Sequence, residues 1–137
     1  MPRILPVAIA LTTSAIALSL SPMARAQATP LKPGLYRWGS NYIQLAQRGD
    51  RWCFQGFTAR ATTIASLSRN GKAPHRYQVH GMGAIVQQER PDQLAYGTAD
   101  NLLPYAAEAS ADTTLTPKMV ACLNSRRPYF QRIHSTR

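Results

Sequence analysis

Apolar and polar positions alternate with period two in several short runs, the pattern of strands with one face buried. The densest run is 34–58, which holds both tryptophans, two of the six tyrosines, two of the three phenylalanines and one of the two cysteines. Within it, 42–47 alternates, Arg48-Gly49-Asp50-Arg51 interrupts, and 52–56 resumes. A turn centred on Gly49-Asp50 makes this a hairpin and sets Gln47 opposite Trp52, Leu45 opposite Phe54 and Ile43 opposite Gly56. Ile43, Leu45, Trp52 and Phe54 then share the core face, and Tyr42, Gln44, Ala46, Cys53 and Gln55 share the other. A slip of one residue would exchange the two faces. The tripeptide Arg48-Gly49-Asp50 matches an adhesion motif, but turn chemistry alone accounts for its residue types.

Further strands are expected at 34–38, 58–68, 76–80, 84–89 and 93–98. The signals are β-branched clusters, Asn70-Gly71 as a short hairpin connection, and Pro91 in a turn. Residues 100–109 fit no single pattern, since Asp100 suits a helix cap and Pro104 interrupts a helix. Thr116 and Pro117 are a good cap and first residue for a helix over 118–124, with Met119, Cys122 and Leu123 on one stripe. Residues 129–133 suit a last strand or a docked tail. Strands joined by short turns predict an all-β or mostly β fold. This is a small antiparallel meander of about six to eight strands, barrel or sandwich, with one short C-terminal helix. If Cys122 pairs with Cys53, the helix covers the second face of the sheet or one mouth of a barrel.

The N-terminus changes this picture by adding a segment outside the fold. Arg3, an uncharged apolar stretch over 4–20, Pro22 and Ala24-Arg25-Ala26 make residues 1–26 a secretory signal peptide. An uncleaved anchor is the alternative, though the stretch is shorter than the ~20 residues of a spanning helix. After cleavage no span is expected, and the setting is periplasmic or secreted. Residues 27–33 read as a flexible lead-in and 34–137 as one disulfide-linked β domain. Both cysteines lie in the exported part, where a Cys53–Cys122 bond is the favoured state, over a metal site or a reactive thiol.

The charge is formally +10, from 16 basic and 6 acidic residues. Removal of Arg3 and Arg25 leaves a mature charge of +8, with arginine far outnumbering lysine. Arginine forks suit carboxylates and phosphates. Arg48 and Arg51 at one hairpin tip, Arg69 and Lys72 at the next, and Arg37 with Trp38 and Tyr42 are the candidate binding residues, against the alternative of a scattered solubilising surface. Export argues against nucleic acid. Anionic envelope components, namely lipid headgroups, polysaccharides or acidic proteins, suit the compartment. No metal site or cofactor is expected. His75, His80 and His134 lack neighbouring ligands, and no glycine-rich nucleotide loop or catalytic motif is present. Of the six carboxylates, only Glu89 and Asp92, flanking one turn, offer a hydrolase pair.

The pattern GxYxxGxxYIxLxxxGxRWCFQG over 34–56, with Cys122-Leu123-Asn124-Ser125 near the end, resembles small secreted proteins of cyanobacteria with no assigned activity. That resemblance implies a cyanobacterial periplasmic or secreted setting and carries no functional residues. In size and layout the chain is also similar to the small disulfide-bearing barrel inhibitors of lysozyme, without their inhibitory motif. The expected function is therefore a non-enzymatic envelope protein that binds an anionic partner. The alternatives are a small-ligand or inhibitor barrel and, third, a weak hydrolase.

Overall fold

The computed structural model describes residues 29–73, 75–109 and 113–134. The signal peptide expected over 1–26, the first lead-in residues, Pro74, Asp112 and Arg137 lie outside the described residues. Among the described residues no helix is long and apolar enough to cross a membrane.

The chain runs β1 (Gly34–Trp38), β2 (Asn41–Arg48), β3 (Arg51–Phe57), β4 (Ala61–Arg69), β5 (Arg76–Val79), β6 (Ile85–Arg90), β7 (Gln93–Thr98), β8 (Asn101–Ala107), α1 (Pro117–Asn124) and β9 (Phe130–His134). Strands β1 to β8 pair antiparallel with their sequence neighbours, and β1 also pairs with β8. The meander therefore closes into an eight-stranded barrel. The first hairpin has the expected register, with Leu45 opposite Phe54 and Gln47 opposite Trp52. Gly49 takes the positive φ (60°) that its turn requires.

Inward positions of successive strands meet in one core of Tyr36, Ile43, Leu45, Phe54, Val79, Val86, Leu94 and Tyr105, among others. A second, smaller core lies outside the barrel wall. There Met119, Cys122 and Leu123 of α1 pack on Ala46, Cys53 and Ile64, and the Cys53–Cys122 disulfide crosses between the layers. The helix thus covers the sheet's outer face and not a mouth. Thr116 caps it by accepting from the Met119 amide at 3.3 Å. Two outward glutamines, buried under this layer, hold the segment before the helix. Gln44 donates to the Thr113 carbonyl, and Gln55 accepts from Thr116.

Three expectations need correction. The Asn70-Gly71 connection is not a two-residue turn. Arg69 pairs with Tyr77, so the loop spans 70–75, and Asn70 uses its side chain to accept from the Lys72 amide. The lead-in is not wholly free either. Leu31 is 8% exposed and belongs to the barrel core. Buried Gln88 accepts from the Lys32 amide at 3.1 Å and donates to the Arg90 and Gln93 carbonyls. Residues 101–107, which suited no single element, form β8. Pro104 is tolerated there because the β1 ladder on that side ends with Arg37 opposite Ala106.

One column of the wall is shared. β5 has only four residues and pairs with β4 at 67–69, while β9 pairs with β4 at 61–65. Ser66 stands at the junction, donating from its amide to the Tyr129 carbonyl and accepting the His80 amide. Gly81 lies so close to Phe130 that a Cβ there would sit 2.5 Å from the ring.

Candidate binding site at the barrel mouths

Strand direction defines two ends. The upper mouth carries the β2–β3, β4–β5 and β6–β7 connections and the lead-in. The lower mouth carries the β1–β2, β3–β4 and β7–β8 connections and the end of β9.

The seven sequence-predicted residues do not converge. Arg51 donates to the Cys122 carbonyl at 3.2 Å and to the Arg127 carbonyl at 2.6 Å. It supplies, from outside the helix, the cation that the C-terminal end of α1 favours and lacks in its own last turn. Arg48 donates to the Asn124 side chain. Both hairpin-tip arginines are thus occupied in holding the helix. Arg37, on the outer wall opposite Tyr42, pairs with Glu108 at 2.9 Å. Trp38 lies at the lower mouth, 41% exposed, with its ring 6.3 Å from that of Tyr105. Lys72 is exposed on the upper loop. Of the seven, only Arg69 lines the cup at the upper mouth.

At the upper mouth a cup of about 490 Å³ is bounded by Leu31, Gln47, Trp52, Arg69, His75 and Tyr77. Asp50 shares a smaller adjoining hollow with Gln47 and Arg69. The Arg69 guanidinium stands 5.7 Å from the Tyr77 ring centre and donates to its hydroxyl at 3.1 Å. The Trp52 ring lies 6.3 Å from that of Tyr77. Among the described residues no carboxylate pairs with Arg69. The one ion pair among the described residues is Arg37–Glu108.

At the lower mouth inward positions place a row of rings. Trp38 meets Tyr105, Tyr105 meets Tyr96 edge-on at 5.8 Å, and Tyr96 stacks on Phe54 at 5.2 Å. Inward Arg132 lies opposite Thr63, and His134 opposite Ala61. Reasoning from sequence singled out Trp38 but not Arg132, and weighed His134 only as a metal ligand. The signal was the alternation of Phe130, Arg132 and His134, but it needed the pairing of β9 with β4 to acquire an inside.

Glu89 and Asp92 flank the β6–β7 turn but line different hollows, Glu89 beside Arg90 and Gln93, Asp92 beside Pro33 and Gly34. Among the described residues no group of three His, Cys, Asp or Glu side chains is placed to hold a metal.

Burial raises the hydroxyl pKa of Tyr36, Tyr96 and Tyr105 above the usual tyrosine value. Tyr36 also donates to the Lys32 carbonyl at 2.7 Å, which ties the lead-in to the wall. Because the neutral phenol is favoured in the folded barrel, these groups stabilise it fully below the unfolded tyrosine pKa of about 10. That stability is lost as pH rises through the higher folded values. Denaturation midpoints should therefore hold between pH 8 and 9 and fall steeply above about 10. Tyrosine absorbance should titrate late in the same range. A flat midpoint up to full ionisation would contradict the assignment.

No protein-family model matches the chain, and neither a curated protein nor a solved structure does.

Proposed function

We propose that this is an exported, non-enzymatic binding protein that holds an acidic saccharide of the cell envelope at its upper mouth, with Arg69 receiving the carboxylate. The observation that carries this reading is Arg69 itself, an inward-facing fork with no acid partner among the described residues, set against Tyr77 at the rim of an open cup. Gln47 and Asp50 border the same space and can accept from hydroxyl groups. A ligand with many hydroxyls and one charge per unit fits this mixture. A densely anionic headgroup would meet Asp50 as a like charge. Lys72, on the same loop as His75, adds long-range attraction that salt screens. The buried disulfide favours an oxidising compartment.

The test is binding of a short polyuronate, followed by calorimetry, with a neutral oligosaccharide as comparison. Arg69→Ala should weaken polyuronate binding roughly ten- to hundredfold, as loss of charge-assisted hydrogen bonds implies. Affinity should also drop with added salt. Arg48→Ala, whose side chain serves the helix, should leave it nearly unchanged. Equal binding of the neutral sugar, or an unaffected Arg69→Ala variant, would rule the reading out.

A further inference from the structure

The lower mouth has a different chemistry from the upper one. Its hollow of about 350 Å³ is walled by Phe54, Gly56, Met82 and Tyr96. That volume lies near the small end of the ~300–1,000 Å³ typical of small-molecule sites. The stacked pair Phe54–Tyr96 continues through buried Tyr105 to half-exposed Trp38, so a row of packed rings runs from inside the barrel to its rim. Gly56 keeps the space open. A Cβ at that position would already lie 3.0 Å from the Phe54 ring, and any longer side chain would enter the hollow.

The charged groups are arginines and come from one side. Arg60, Arg132 and His134 border the hollow. Arg132 rests its guanidinium 5.7 Å from the Phe130 ring centre, and its Nε donates to Thr63 Oγ1 at 3.4 Å. This leaves the two terminal nitrogens, the prongs of the fork, without a carboxylate among the described residues. The charge of Arg132 reaches Tyr96 across the hollow, where it opposes the rise in the tyrosine pKa. Access is lateral as well as axial. β9 pairs with β4 alone, and its second edge is unpaired where Arg132 faces Tyr96 of β7.

We propose that the lower mouth is a second binding site, independent of the upper one, for a small aromatic monocarboxylate. Its rings lie against Phe54 and Tyr96, and its carboxylate is gripped by the Arg132 fork. Flat walls select a planar body, and the mainly apolar surface of the hollow disfavours a polyhydroxylated one. A single unpartnered fork matches one carboxylate in bidentate geometry. Arg60 at the rim raises the local anion concentration without fixing its position.

The test is isothermal titration of the disulfide-bonded protein with naphthoate, naphthylmethylammonium and acetate. Naphthoate should bind one-to-one. The cationic isostere and acetate should each bind at least tenfold more weakly, one lacking the charge match and the other the rings. Arg132→Gln should weaken naphthoate at least tenfold and Arg132→Lys by an intermediate factor, because the point charge survives and the fork does not. Gly56→Leu should abolish binding by filling the hollow. Arg126→Gln, a charge loss on the outer surface, should change nothing. No binding of naphthoate to the wild type, equal binding of the two naphthyl ions, or Arg132→Gln indistinguishable from Arg126→Gln would overturn the proposal. Arg132 is exposed at an end strand, so its variants keep the test open should Gly56→Leu fail to fold.

Discussion

Replacing Cys53 and Cys122 together by alanine should lower stability by about 4 kcal/mol, the chain-entropy value for a loop of this size. The bond spans 69 residues and both cysteines are fully buried. The loss should also be uneven. Met119, Cys122 and Leu123 belong to a separate small core that holds α1 on the outside of the barrel, whereas the inner core has no cysteine. Hydrogen exchange should therefore quicken over 117–134 well before it does in β6 and β7. A stability loss below about 1 kcal/mol would show that the outer layer is held by packing and by the hydrogen bonds of Arg48, Arg51, Gln44 and Gln55. Uniform quickening across all strands would show that the two cores melt together.

Phe54→Ala should cost about 3–5 kcal/mol, the range for removing a large buried ring. Phe54 is 1% exposed, pairs with Leu45 and Ala65 on adjacent strands, and stacks on Tyr96. The closed wall cannot collapse into the gap, because β3 is hydrogen-bonded on both sides. The urea midpoint should fall with little change in slope. Phe57→Ala, three positions along on the outward, partly exposed face, is the comparison and should cost far less. Equal losses at the two positions would mean that the assignment of inside and outside is wrong. The ring is also a wall of the lower hollow, so the same substitution should impair naphthoate binding in whatever fraction remains folded.

The core was legible because period-two alternation converts directly into faces. Ile43, Leu45, Trp52 and Phe54 are inside, Ala46 and Cys53 outside, and a helix with Met119, Cys122 and Leu123 on one stripe covers the latter. The helix cap was equally local, in Thr116 and Pro117. What sequence could not show were the long-range uses of polar side chains. Arg51 looked like a free tip charge, yet it reaches across 71 residues of chain to the end of the helix. Gln88 looked like an ordinary strand residue, yet it anchors Lys32 across the interior. Arg132 looked like one more tail charge until β9 took its place against β4 and gave it an inward direction. Local patterns specify faces and caps, while sites arise from pairings between distant segments that no local pattern encodes. Closure itself belongs to this second class, since it rests on only two pairs between β1 and β8, Tyr36 with Ala107 and Arg37 with Ala106.

The divided column beside β4 has a bearing on how the molecule is made. A ribosome delivers the chain N-terminus first, at about 5–20 residues per second. Each early hairpin can form as it emerges, but the first strand must wait for Ala107, and the lower half of β4 must wait for β9. For that interval two strand edges lack partners, and both can recruit strands from other chains.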